Sequence, residues 1–370
     1  MSAVCHRPVG WLLCLVVVAS GAPTHLVVLQ HGLYGNPCNL QEMQQQLHAL
    51  GGGQVLAHLA TSNEGRTRDG VAAGGRRLAD EIRVLVNANP SLRTISLVGN
   101  SLGGLYVRAA ATELLEQAAG KGGGLMANLE PRVLVTTACP HLGVRRYTYL
   151  PLPEFLTPAG RLVAGRTADE LLLRDKAAGG GGGGGGGETG GGGEAVPLLV
   201  AMSQPQSPHV LALRRFTRRR LYANLRGDFM VPFGTAAIEG AGWAAGVGDA
   251  TRAKYFYEGA PDLSFIDQSV CTGAADGVAV VRECAAEGGS GDQAGSAEME
   301  ELMRRGLSSV GWSKVAVAFR GATTLTPLAH NKLPALRRPG WRRAFEWVEQ
   351  AHEGRVVVEH AVRYILDGLD

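Results

Sequence analysis

"SLVGNSLGGLYVRAA", residues 96–110, is the stretch from which the rest of the chain can be read. Its centre, Gly99-Asn100-Ser101-Leu102-Gly103, has the form G-x-S-x-G, which a chain with 53 glycines in 370 residues produces cheaply. The flanks give it weight. "RTISLV" (93–98) is a short β-branched apolar run that reads as a strand, and Leu105, Ala109, Leu114 and Leu115 keep helical spacing as far as Gly120. A serine between a strand and a helix stands where a nucleophile elbow requires one. Gly99 and Gly103 leave room for a turn tight enough to aim Ser101 out of the sheet. The helix start just beyond it offers free N–H groups and the positive end of a dipole.

Working outward, "HLVVLQ" (25–30), "QVLAHL" (54–59) and "RVLVTTA" (132–138) read as further buried strands. Between them, Leu40, Met43, Leu47 and Leu50 form one helical stripe, and a second helix is predicted from Asp69, as its cap, to about Asn89. Strands alternating with helices predict an α/β fold, a mostly parallel sheet covered on both faces. Beyond residue 140 the rhythm breaks. Residues 143–178 are mixed and proline-containing, with a helix expected at 168–173; 179–193 are almost pure glycine, a surface insertion without core-forming residues. A helix near 205–217 and the strand "RRLYANL" (219–225) follow; about 241–311 reads as a weakly structured insertion, with 285–298 disordered. "KVAVAF" (314–319) is the last strand signal, followed by helical patterns at 341–352 and 355–369.

A net charge of +3, with no basic stripe interleaved with aromatics, argues against nucleic acid as a partner. The densest basic run, "RRFTRRR" (214–220), reads as a solvated helix end, with acidic lipid headgroups as the alternative contact. Six cysteines lack metal-ligand spacing, so no zinc site is expected. Free thiols are the simpler reading, with Cys271 and Cys284 the one pairing considered. Residues 1–22 have the shape of a short signal peptide or anchor, although the positive end is weak and Pro23 makes an awkward junction. An intracellular, membrane-associated location is the expectation, with secretory entry through residues 1–22 as the alternative. Residues 23–370 are taken as a single domain.

An un-ionised serine needs a base, and elbow enzymes of this architecture order their residues as nucleophile, acid, histidine. Among the late histidines, His352 and His360 fall inside amphipathic helical patterns. His330, in "LTPLAHNKL", falls in a loop after a strand, where open α/β sheets place their sites. Asp228, in "LYANLRGDFMVPF", follows an apolar strand and would hold the imidazole in one tautomer. An oxyanion hole is expected from the Leu102 N–H and the Leu33 N–H in "QHGLYGN" (30–36), where Gly32 permits an unusual backbone. His31 precedes Ser101 and reads as a brace for that loop.

Taken in order, "THLVVLQHGLYGNPCNL", "RTRDGV", "VGNSLGGLYVRAA", "TTACPHLGV", "GRTADELLLRD", "RRLYANLRGDFMVPFGTAAI" and "LTPLAHNKL" resemble the eukaryotic serine esterase family of α/β-hydrolase lipases. The resemblance covers most of 24–240 and resumes at about 312–333. It implies an α/β-hydrolase fold, hydrolysis of carboxylic esters, mostly acyl lipids, by Ser101, Asp228 and His330, no cofactor, and a lid or cap over an acyl pocket at 143–178. Residues 147–158 and Leu171–Leu173 would wall that pocket. The glycine tract departs from the family, 241–311 does not match it, and Asn100 stands where many relatives carry His. Acyl transfer to another acceptor by the same three residues, and a non-catalytic lipid-binding scaffold, are the alternatives; the latter requires a displaced or missing triad member.

Overall fold

The computed structural model describes residues 21–119, 125–145, 157–175, 196–225, 227–228, 230–239, 278–284, 296–319, 329–336 and 354–369. The leader at 1–20, the glycine tract, most of 241–295 and the pattern at 341–352 lie outside them.

Strand β1 (His25–Gln30) is buried along its whole length. Its alternate side chains enter two separate cores, Leu26 and Val28 on one face, Val27 and Leu29 on the other. That is the period-two pattern of a strand covered on both sides. Around it lie β2 (Val55–Leu59), β3 (Thr94–Asn100), β4 (Glu130–Thr137), β5 (Arg218–Asn224), β6 (Val278–Cys284) and β7 (Ser313–Phe319), in the spatial order β2-β1-β3-β4-β5-β7-β6. Every pairing is parallel except that of β6, which runs antiparallel to β7 at the edge. The chain has the α/β-hydrolase fold.

Helices α2 (Val71–Ala88), α3 (Leu102–Ala119), α6 (Pro208–Leu213) and α8 (Ser296–Ser308) contribute Leu78, Leu105, Val210 and Met303 to the first core. On the opposite face, α1 (Gln41–Leu50) and α10 (Arg355–Leu366) bring Met43, Leu47, Val358 and Ile365 to the second. Each such fully buried side chain contributes roughly 1.5–3 kcal/mol relative to exposure. The remaining helices are α4 (Thr157–Leu171), α5 (Leu198–Ala201), α7 (Phe233–Ala236) and α9 (Ala329–Lys332).

Several expectations need correction. The cap of α2 is Gly70 at φ +98°, not Asp69; the carboxylate of Glu170 occupies the space a Cβ would need and accepts the Val71 N–H at 2.5 Å. Helix α4 begins earlier than 168 and is broken at Gly165 (φ +58°), where a Cβ would meet the Arg68 carbonyl oxygen at 2.7 Å. Its second half packs on loop 67–71, and Leu171 and Leu173 join the first core. The weakly structured stretch at 241–311 contains β6 and α8. The polar composition of α8 concealed a helix: Glu301 pairs with Arg304 and Arg305 one turn on, while Met303 and Leu307 are fully buried.

The basic run is largely engaged in the fold. Arg218 and Arg220 lie over the Tyr364 ring, 4.0 and 3.7 Å from its centroid, and Arg219 donates to the carbonyls of Leu213, Phe216 and Gly311. Cys139 is free and buried, whereas Cys38 is disulfide-bonded, against the expectation of free thiols. Cys271 lies outside the described residues. No described helix is long and apolar enough to cross a membrane.

Candidate active site

The carboxyl ends of the parallel strands β1, β3, β4, β5 and β7 lie at one edge of the sheet, where open α/β sheets bind ligands. Ser101 follows β3 directly and has φ +55°, a left-handed conformation costly for a residue with a side chain. The surroundings impose it. Its N–H donates to the Thr137 carbonyl at 2.8 Å, and its own carbonyl accepts the Gly104 N–H at 2.9 Å, closing the turn into α3. A Cβ at Gly99 would strike the Gly103 carbonyl oxygen at 2.5 Å, and one at Gly103 would strike the carbonyls of Gln30 and His31. At Gly32 a Cβ would come within 2.7 Å of the Ser101 Cβ and 2.9 Å of the Asn100 carbonyl oxygen. The three glycines read from the sequence are places where backbone meets backbone. Asn100 accepts a 2.8 Å hydrogen bond from the Thr137 hydroxyl, so its side chain belongs to the turn's support.

Gly32 to Gly35 form a turn closed by the Gly35 N–H on the Gly32 carbonyl at 3.0 Å, with Tyr34 at φ +53°. Beside it, the His31 ring bonds through Nδ1 to the Gly32 carbonyl at 3.0 Å, and burial lowers its pKa. A neutral, buried ring bonded to its own loop is a brace. Among the described residues, the N–H groups of Leu33 and Leu102 donate to no protein acceptor. Leu102 is the residue after the serine, and Leu33 follows Gly32, whose backbone lies against the Ser101 side chain.

Asp228 and His330, 102 positions apart in sequence, meet at 2.9 Å between Oδ2 and Nδ1. Asp228 sits just after β5, and its second oxygen accepts the N–H groups of Met230 (3.1 Å) and Val231 (2.9 Å). Asn224, the last residue of β5, donates its amide to Oδ2 at 2.8 Å. His330 lies in the one-turn helix α9 rather than in an open loop, and both partners are buried. No hydrogen bond joins Ser101 to His330 among the described residues; such links often tighten only when substrate is bound. His360 bonds the Tyr222 hydroxyl at 2.9 Å, which gives it a structural task. His352 lies outside the described residues. Cys139 packs against Gly104 of α3, and burial pushes its thiol up to about 12, so it is inert at neutral pH. Among the described residues no three His, Cys, Asp or Glu side chains gather as a metal site.

Residues 20–240 match the family described as "Putative serine esterase (DUF676)". The chain belongs to this serine esterase family. Two yeast relatives whose names call them lipases are each similar to a part of this chain. "Putative lipase C4A8.10" of Schizosaccharomyces pombe is 30% identical over 225 residues, 58% of this chain and 26% of the relative. "Putative lipase ROG1" of Saccharomyces cerevisiae is 29% identical over 233 residues, 62% of this chain and 30% of the relative. The chain thus spans less than a third of the length of either. A solved lipase-esterase related protein of Clostridium acetobutylicum is 13% identical, with a TM-score of 0.31, covering 58% of this chain and 79% of that one.

Asn224, whose amide holds the Asp228 carboxylate, is not among the residues the sequence motifs single out. Its only signal is an amide-bearing residue at the end of an apolar strand, four positions before the aspartate. The cap contacts of Glu170 were also missed, because nothing local to "GRTADEL" shows that it reaches the start of α2.

Proposed function

We propose that the protein hydrolyses carboxylic esters, those of acyl lipids first among them, through Ser101, His330 and Asp228. The observation that carries this reading is the Asp228–His330 hydrogen bond at the same sheet edge as a serine held on a strained elbow. The Leu33 and Leu102 N–H groups, which have no protein acceptor among the described residues, support it, as does membership of the serine esterase family.

In the proposed sequence, Asp228 fixes the proton of His330 on Nδ1, leaving Nε2 to take the proton of Ser101 as its oxygen attacks the ester carbonyl. The carbonyl oxygen becomes an oxyanion and receives hydrogen bonds from the Leu33 and Leu102 N–H groups. Collapse of the tetrahedral intermediate breaks the bond to the alcohol, which leaves with the proton from His330. Water then attacks the acyl-enzyme with the same base and restores Ser101.

The test is labelling by a fluorophosphonate, with the wild type beside Ser101→Ala and His330→Ala, followed by hydrolysis of p-nitrophenyl butyrate. Wild-type labelling that disappears in both variants is expected, with turnover falling by at least about 10³-fold. A folded wild type that neither labels nor hydrolyses, with or without detergent, would sink the reading and leave a non-catalytic hydrolase fold.

A further inference from the structure

Loop 61–70, between β2 and α2, carries a side chain that the proposed chemistry does not touch and that is nevertheless bonded to it. Thr67 is buried, and its hydroxyl oxygen accepts the Tyr34 N–H at 3.0 Å. Tyr34 is the left-handed member of the Gly32–Gly35 turn, one residue beyond the proposed oxyanion donor Leu33. A residue with a side chain holds φ near +53° only when surrounding bonds over-determine it. The Thr67 hydroxyl supplies such a bond from outside the turn.

The other side of Thr67 is pinned as well. Its carbonyl accepts the Tyr106 hydroxyl at 3.1 Å, from the helix that begins at the elbow, and the Thr167 hydroxyl at 2.8 Å, from α4. The Thr167 oxygen in turn accepts the Gly70 N–H at 3.0 Å, and the neighbouring Glu170 takes the Val71 N–H at 2.5 Å. Thr67, Tyr106, Thr167 and Glu170 are all buried. Helix α4 therefore holds loop 67–71 from one side, and that loop holds the Gly32–Gly35 turn from the other.

We infer that Thr67 is a positioning residue that keeps the Leu33 N–H aimed beside Ser101, and that through Thr167 the seating of α4 governs that aim. The inference rests on the ester-hydrolase reading for the role of Leu33; the bonded relay itself does not depend on it. An oxyanion donor acts mainly on the transition state, so its misplacement should lower kcat and leave KM nearly unchanged.

The experiment compares wild type, Thr67→Val, Thr67→Ser and Thr167→Val for p-nitrophenyl butyrate hydrolysis and for amide hydrogen exchange in the segment 31–36. In Thr67→Val, kcat should fall about 10–100-fold with KM within about twofold, and exchange in 31–36 should accelerate. Thr67→Ser keeps the acceptor and should restore both to within about threefold of wild type. Thr167→Val should accelerate exchange in the same segment and lower kcat by a smaller factor. Thr67→Val with wild-type kcat and wild-type exchange overturns the positioning role, and an unchanged 31–36 segment in Thr167→Val overturns the link to α4. A wild type without turnover counts against the hydrolase reading alone, and the exchange comparison still decides the relay. Thermal melts of each variant separate a local change from loss of fold.

Discussion

The serine side of the site and the aspartate–histidine side are built by opposite means. Around Ser101 the structure works by exclusion: Gly32, Gly99 and Gly103 stand where any Cβ would collide with backbone, and those collisions leave the serine one conformation. Around Asp228 it works by attachment, with four hydrogen bonds converging on two carboxylate oxygens. A site made by exclusion fails when an atom is added, and stability and chemistry fail together. A site made by attachment fails when a donor is lost, and there the chemistry can fail while the fold survives.

The largest effect expected is on the attached side. Asp228→Asn keeps the shape but offers His330 the wrong partner, and kcat should drop about 10⁴-fold with little change in melting temperature. A variant that lost activity only by unfolding, read by circular dichroism, would erase the contrast. Next is Gly103→Ala, whose methyl would meet the Gln30 and His31 carbonyls. Both strand and helix must shift, so about 2–4 kcal/mol of stability should be lost together with fluorophosphonate labelling. Denaturant titration alongside labelling checks whether the two losses travel together. Asn224→Ala removes one of the donors to Asp228 and should cost about tenfold in kcat while the melt stays within a few degrees. An unchanged rate would show that the backbone N–H groups of Met230 and Val231 suffice.

An effect on stability alone sharpens the comparison from outside the site. Burial pulls His25, His209 and His360 down to about 4. Between pH 6.5 and 4 the unfolded chain binds protons that the folded chain refuses, so stability falls as pH falls through that window. For His25, which is 2% exposed, the slope is about 1.4 kcal/mol per pH unit. Melting temperature should decline steadily from pH 7 to pH 5, and His25→Gln should flatten part of the decline. A flat profile would remove burial of neutral histidine as a feature of this scaffold.

What could be read from the sequence follows the same division. Exclusion leaves local marks: glycines two residues either side of a serine, between an apolar strand and a helix, announced the elbow and the parallel sheet around it. Asp228 and His330 were reachable because chain order and strand ends restrict the choice. Contacts made across long separations left no such trace. Thr67 meets Thr167 at a separation of 100 residues, and Val71 meets Glu170 at 99, so Asp69 looked like the helix cap when Gly70 and a distant carboxylate share the task. Helix α8 was hidden by glutamates and arginines that pair with one another, and the arginines of 218–220 looked solvated because Tyr364 lies so far along the chain.

The left-handed backbone of Ser101 also has a bearing on descent. Glycine adopts φ +55° without steric cost, so Ser101→Gly should relieve on the order of 1 kcal/mol of strain even as it removes the hydroxyl. Selection for foldability and selection for the serine thus pull against each other at this position. In any lineage released from the need for the hydroxyl, glycine is the replacement that drift would be expected to fix there first.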